Sequence, residues 1–400
     1  MMRYIKYLAS PLLAMISLTM LLDAYIYEVG ISILGGLPLL NVIRLFLCVG
    51  VIALIYIRIN LHQKIGFLYF TFIGTYLLSS FLFTNSYEEP SYYFLNFIFG
   101  YFLFVIIGAL CEAKKDINVI KILFFVFLIF FSLSICIEFI PIERYVLKED
   151  ALWQCGLDWN VRLCGATNNP NILGFVAFLI SAFSIVCHQS KYKYYFLLSL
   201  LMSLALVIMS LSRTAMFSIL LMLLLYFGGK NRDGGKFALV TLTLLLLGLS
   251  LMYLLDGNIS LGLLDRFSLT SLLNASGRGG IFSVAIKYFN ESPLLGNGFD
   301  LNRNYSTDNL RWSNFIDNAY LNILVSYGIV GIAMFLGMAL FIFNCVIKIG
   351  RAQGAIFLSF LLMLIFEDYT FKGYYVWFLL FLITYSGAKK IKVNSDNINT

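Results

Sequence analysis

Runs of about 20 apolar residues recur along almost the whole chain, separated by short polar connections, and this repetition restricts the fold more than any other feature. A helix of that length crosses about 30 Å of hydrocarbon. Lipid offers no partner to a backbone N–H or C=O, so only helices or closed barrels can span it. The runs lack the apolar/polar alternation of barrel strands. The expected fold is therefore all-α, with spans near 7–22, 37–57, 65–83, 91–110, 118–140, 171–187, 195–211, 214–228, 237–255, 318–347, 354–366 and 373–387. About twelve spans return the chain to its starting side; the tight turn at Ser212 to Thr214 and the short run 354–366 also permit ten or eleven. A chain that is 60% hydrophobic, 17% aromatic and 12% charged is not an ordinary soluble domain. No internal repeat divides it, so residues 1–400 read as one transmembrane domain. The first run follows Arg3 and Lys6 without a small-residue cleavage site and reads as a retained span.

A formal net charge of +7 would suit nucleic acid, but its placement gives another reason. With the N-terminus inside, most of the 28 lysines and arginines fall in connections on one side, among them Arg58, Lys64, Lys114, Lys115, Lys191, Lys193, Lys348 and Arg351. The short opposite connections near Asp23 to Glu28 and Asn85 to Glu89 carry acids and no base. Positive charge is retained on the cytoplasmic side, which puts both termini there.

Two connections on the outer side are long enough to expect function on them. The first, 141–170, holds Trp153, Cys155, Trp159, Arg162 and Cys164; its two cysteines either form a disulfide that stiffens the loop around Arg162 or remain free thiols. The second, 256–317, holds Ser276-Gly277-Arg278-Gly279-Gly280, then Ser292-Pro293-Leu294-Leu295-Gly296-Asn297-Gly298, and ends at Asp317-Asn318-Ala319-Tyr320. Phe282, Ala285 and Phe289 recur at helical spacing before Pro293, so 279–290 is expected to be a short amphipathic helix on the membrane surface.

The candidate chemistry is anion binding. Arg213, in Leu211-Ser212-Arg213-Thr214-Ala215, lies between two apolar runs, where a guanidinium is costly unless paired or hydrated. Its planar fork fits two phosphate oxygens and does not titrate away; the competing reading is an arginine that snorkels to lipid headgroups. Arg278 opens the short helix, where free N–H groups and glycines suit an anion; the competing reading is a solvated loop arginine. Arg162 precedes Asn168-Asn169-Pro170-Asn171, itself an ordinary helix entry. Arg44 sits inside its span and needs a partner such as Asp23, Glu28 or a ligand phosphate. Arg303 and Arg311 add cations to the large loop.

Asp317 is the first candidate to take a proton, with a helix N-cap as its plain alternative. Glu291, Asp300, Asp308, Glu367 and Asp368 are its rivals. Both histidines, His62 and His188, fall on the predicted cytoplasmic side, and the outer loops hold no acid pair or Cys/His cluster with metal spacing. No cofactor is expected; if a pyrophosphate is the leaving group, arginines must neutralise it in place of a metal.

In this order the pieces resemble the O-antigen ligase and polymerase superfamily of bacterial polysaccharide assembly. The likeness is carried by Arg162 to Gly174, Leu211-Ser212-Arg213-Thr214-Ala215, Gly277-Arg278, Pro293-Leu294-Leu295-Gly296-Asn297-Gly298 and Asp317-Asn318-Ala319-Tyr320-Leu321 leading to Tyr327-Gly328-Ile329-Val330-Gly331. It covers about 160–335; residues 1–150 carry no alignable motif. It implies a membrane-embedded glycosyltransferase of the GT-C-like type in the bacterial cytoplasmic membrane, its site facing the periplasm or cell exterior. Donor and acceptor would be glycans on undecaprenyl pyrophosphate, and Arg213 and Arg278 would engage the pyrophosphate; Asp317, from the reading of the residues above, is the candidate at the acceptor. Arg162, Asn171, Arg44, Asn318, Tyr320, Arg303 and Arg311 would line the substrate path. A chain-length regulator and a flippase of the same pathway are the partners that such an enzyme suggests. Ligases of this superfamily have a histidine at the start of the span after the large loop, and this chain has Asp317 in that neighbourhood, which favours a repeat-unit polymerase of O-antigen or capsular polysaccharide over a ligase. A non-catalytic lipid-linked oligosaccharide exporter is a third reading; it expects charges along the central helices, whereas most spans here are nearly charge-free. Trp153, Trp159, Tyr305 and Trp312 read either as sugar-stacking rings or as interfacial anchors.

Overall fold

The computed structural model describes residues 14, 18, 32–33, 37–38, 65–66, 69–71, 73–74, 97–98, 100–101, 104–105, 108, 119–139, 163–167, 169–190, 192–228, 278–297, 318–368 and 375–384. A short antiparallel pair, β1 (Ser32–Ile33) and β2 (Leu37–Pro38), is followed by helices α1 (Val119–Phe139), α2 (Pro170–Gln189), α3 (Lys193–Ser210), α4 (Arg213–Phe227), α5 (Arg278–Glu291), α6 (Ala319–Ile349) and α7 (Arg351–Phe366). A last helix, α8, runs from Tyr375 to Thr384. Four of these, α1, α2, α3 and α6, are long and apolar enough to cross a membrane. The expected spans from 118 to 228 and from 318 onward thus have helical counterparts. The expected span 237–255 lies outside the described residues.

Among the described residues the all-α expectation holds, apart from one pair of two-residue strands in which Ser32 pairs with Pro38 and Ile33 with Leu37. One expectation needs correction: the expected span 318–347 is not one continuous helix, because α6 breaks at Gly328 (φ 65, ψ −163).

Helix α2 is the central column, with Phe175, Val176, Ala177, Phe178, Leu179 and Ile180 all fully buried in succession. A helix buried on every face needs neighbours on every face: α2 packs on α3, α4 and α7, while α1 packs on α3 and α6 on α7. Only a short link separates α2 from α3, so the two are antiparallel, and Ser203 Oγ on α3 donates to the Ala177 carbonyl of α2 at 2.7 Å. Trp377 of α8 is fully buried, meets Tyr69 edge-on and Phe97, Tyr101 and Phe104 at tilted angles, and donates its ring N–H to the Phe97 carbonyl. Outward faces stay apolar: Leu197, Leu198 and Leu201 on α3, and Met334, Leu340 and Phe341 on α6, are exposed. Such faces suit lipid and would be an aggregation hazard in water.

Candidate active site

The C-terminal ends of α1, α3 and α7 and the N-terminal ends of α2, α4 and α6 are bound together at one end of the bundle. Each junction is made by residues of a motif or by an acid beside one. At the end of α1, the buried Glu138 carboxylate accepts the backbone N–H groups of Cys164 (2.9 Å) and Gly165 (2.6 Å) through one oxygen, Oε1. Ser134, one turn earlier, accepts from the Ala166 N–H at 3.2 Å. Gly165 has φ +57, and an added Cβ would run into Ser134, so glycine is needed for this close approach. Leu163 N–H donates to the Met209 carbonyl of α3 at 3.1 Å, so the segment 163–166 is moored on two helices. Cys164 is disulfide-bonded, whereas Cys136, Cys187 and Cys345 are free. Its expected partner, Cys155, lies outside the described residues.

The next turn opens α2. Asn169 is the N-cap, accepting from the Asn171 N–H at 2.8 Å, and Pro170 takes the first helical position, where its missing N–H costs nothing. Thr167 Oγ1 donates to the carbonyls of Cys164 and Asn169. One turn into α2, Gly174 lies against the start of α4: a Cβ there would be 2.6 Å from Ser212 Cβ and 3.1 Å from Ala215 Cβ. Leu211, in the left-handed region at φ 47, ends α3. Ser212 then caps α4 by accepting from the Ala215 N–H, and Arg213 is the first residue of α4, half-buried. The tight turn expected at Ser212 to Thr214 is present, and it places Arg213 one residue from the Gly174 contact.

The third junction joins α6 to the end of α7. Asn318 is the N-cap of α6, accepting from the Leu321 N–H at 2.9 Å, while its Nδ2 donates to the Ile365 carbonyl at 2.6 Å. The capping role considered for Asp317 therefore belongs to Asn318. Tyr320 donates its hydroxyl to the Leu361 carbonyl at 2.9 Å. Asn322 donates to Asp368 Oδ2 at 2.6 Å, and Asn171, from the entry of α2, donates to Glu367 Oε2 at 3.1 Å. The Glu367–Asp368 turn is thus the clasp that brings the Asn-Pro-Asn entry and the Asp-Asn entry together. Glu367 is buried and Asp368 half-buried.

Of the arginines considered from sequence, the structure describes the side chain of Arg213. Arg278 begins α5, as expected for the short surface helix. Arg44, Arg162, Arg303, Arg311 and Asp317 lie outside the described residues. Asn171, Asn318 and Tyr320 are at the site end, each with a hydrogen-bond partner inside the protein. Glu138, Ser134 and Asn322 were missed by the sequence reading. An acid ending an otherwise apolar run was the available signal for Glu138. Asn322, one turn after Asn318, had none that marks it apart from a surface polar residue.

Among the described residues, Lys121, Lys193, Lys348 and Arg351 lie at the opposite end of the bundle. Arg351 donates through Nε and Nη2 to the Leu225 carbonyl, capping the last turn of α4, and Lys121, Lys193 and Lys348 belong to the same ends of their helices. His188 pairs with the Tyr226 hydroxyl at 2.9 Å there. It is the histidine among the described residues, and it is a bundle length away from Arg213.

A multi-pass helical membrane protein with polar motifs gathered at one end, where buried acids and Arg213 lie together, is the class these observations define. Residues 197–336 match the model of the family described as O-antigen ligase. This match bears out the likeness to the O-antigen ligase and polymerase superfamily and indicates glycan transfer of that type. It takes in α4 with Arg213, α5 with Arg278, and the broken turn of α6. No curated protein matches the chain in sequence.

Proposed function

We propose that this protein is a membrane glycosyltransferase that polymerises undecaprenyl-pyrophosphate-linked oligosaccharide repeat units, building O-antigen or capsular polysaccharide at the outer face of the cytoplasmic membrane. The growing chain on its lipid is the donor and an incoming lipid-linked unit is the acceptor. A terminal sugar hydroxyl attacks the anomeric carbon of the donor. The new C–O bond forms as the bond to the pyrophosphate oxygen breaks, and the hydroxyl proton passes to a carboxylate. Undecaprenyl pyrophosphate departs. Arg213 and Arg278 neutralise the charge that grows on the leaving diphosphate, a role suited to fixed guanidinium donors in a water-poor site. Asp317 takes or orients the acceptor proton, with Glu367 and Asp368 as the nearest structural rivals. Arg162, Arg44, Arg303 and Arg311 extend the cationic path, and Asn171, Asn318 and Tyr320 hold its walls in place.

The observation that carries the reading is the junction itself: Gly174 against Ser212, Asn171 on Glu367 and Asn322 on Asp368 bring three separate motif segments to one end of one bundle. Arg213→Ala and Arg278→Ala should each abolish chain extension in membranes that still contain the full amount of protein, and Asp317→Asn should slow it severely. Normal polymer made by both arginine variants would remove the diphosphate clamp.

The family's description favours a second reading, a ligase that passes glycan from undecaprenyl pyrophosphate to another acceptor. The two separate on product: purified lipid-linked units alone yield a ladder of lengths with a polymerase and nothing with a ligase. Among the described residues the histidine, His188, is at the far end of the bundle, while the acids Glu138, Glu367 and Asp368 are at the site end, which supports the polymerase reading.

A further inference from the structure

In an unbroken helix Ile329 would donate to the Val325 carbonyl. At Gly328 the chain leaves helical geometry, and the segment Pro293–Asn297 takes over the released groups. Ile329 N–H donates to the Pro293 carbonyl (2.9 Å), Val330 N–H to the Leu294 carbonyl (3.2 Å), and the Val325 carbonyl accepts from the Asn297 N–H (3.0 Å). An unmet backbone group in apolar surroundings costs several kcal/mol, so the helix break and the inserted segment require each other. Both glycines are needed. Gly296 has φ +77 and Gly328 φ +65; a Cβ on the first would overlap the backbone of Ser326 and Tyr327, and one on the second the Leu294 carbonyl.

The insert is also tied to α5. Gly296 N–H donates to the Ser292 carbonyl (2.9 Å), and Asn297 Nδ2 donates to the Tyr288 carbonyl in the last turn of α5 (2.5 Å). Further along α5, buried Ala285 lies against buried Val325, flanked by Tyr288, Phe289 and Leu321. A rigid 14-residue helix held at its C-terminal end and again near its middle has little freedom at its start. That start, about 20 Å from the insert at 1.5 Å per residue, is Arg278.

We propose that Pro293–Asn297 is a register pin in the broken α6, and that Gly296, Asn297 and Gly328 are positioning residues that set where Arg278 stands relative to Arg213. The catalytic half of this inference rests on the donor-binding role proposed above for Arg278; the mechanical half does not. Spin labels at exposed Ile286 on α5 and exposed Phe217, one turn past Arg213 on α4, report the mechanical half. The wild-type distance distribution should be narrow, and Gly328→Ala and Asn297→Ala should broaden it.

In reconstituted vesicles supplied with lipid-linked glycan, Asn297→Ala should raise the KM for donor about tenfold and leave that for acceptor unchanged. A merely structural loss would lower the active fraction and move neither KM. Joining Ala285→Cys to Val325→Cys by a disulfide should restore the donor KM of Asn297→Ala. Should Gly328→Ala fail to accumulate, Asn297→Ala, which keeps every backbone bond, decides alone. An unchanged distance distribution, or a broadened one with unchanged donor KM, overturns the pin. A wild-type protein that is inactive on the glycan while the distances respond as expected overturns the proposed function and leaves the pin standing.

Discussion

Gly174→Ala adds one methyl group at the closest approach of α2 and α4. The new carbon would stand 2.6 Å from Ser212 Cβ and 2.7 Å from its Oγ, where ordinary contact begins near 3.4 Å. The start of α4 must therefore retreat by about 0.8 Å, the difference between 3.4 and 2.6 Å. Ser212 cannot turn aside, because its Cβ is fixed by the backbone, its N–H is held by Ser210 Oγ and its own Oγ caps the Ala215 N–H. Overpacking of this kind costs about 1–3 kcal/mol. Arg213 is the next residue and must move with the turn, and a misplacement of about 1 Å at a catalytic group can cost about 100-fold in rate. Two assays check this: chain extension from lipid-linked units in vesicles, and thermal unfolding of the detergent-solubilised protein.

Gly337→Ala is the control, since an added Cβ there meets nothing within 4 Å. It should leave the rate unchanged and raise stability by roughly 0.5–1 kcal/mol through helix propensity. Equal rates and equal melting temperatures for the two variants would show that α2 and α4 do not meet through Gly174, and the argument linking Arg213 to the Asn-Pro-Asn entry would fall with it.

Further expectations follow from the other junctions. Glu138→Ala leaves two buried backbone N–H groups without their acceptor and should destabilise by about 2–4 kcal/mol, while Glu138→Gln, which keeps a carbonyl oxygen, should recover much of this; thermal unfolding of both variants checks it. Asn171→Ala and Glu367→Ala should be non-additive, with a coupling of about 1.5–3 kcal/mol in a double-mutant cycle, as for a hydrogen bond to a charged group; additivity would mean that the two side chains do not meet.

The clasp also shows how the functional end could be only partly read from the chain. The cap residues Asn169 and Pro170 and the turn Ser212-Arg213 were legible because capping acts over a few residues of sequence. The reading went wrong one step further along, at α6, because the tetrapeptide Tyr327-Gly328-Ile329-Val330 is apolar enough to continue a helix. What stops it is a competing set of carbonyls from Pro293 and Leu294. The N-cap considered for Asp317 is supplied by Asn318, and among the described residues Glu138, Glu367 and Asp368 are acids with hydrogen-bond partners at the site end.

By itself the sequence determined that this protein is built of apolar helices suited to a membrane, roughly where those from 118 to 228 and from 318 onward lie, and which short motifs interrupt them. Those properties follow from the poverty of lipid in hydrogen-bond partners and from local caps. The tertiary structure alone decided that Asn171 meets Glu367 across 196 positions, that Gly174 admits Ser212, and that α6 is broken by a loop from elsewhere. Apolar periodicity records only that a face is buried. Which face meets which is settled by close packing and by the pairing of polar groups, and both depend on residues far apart in the chain.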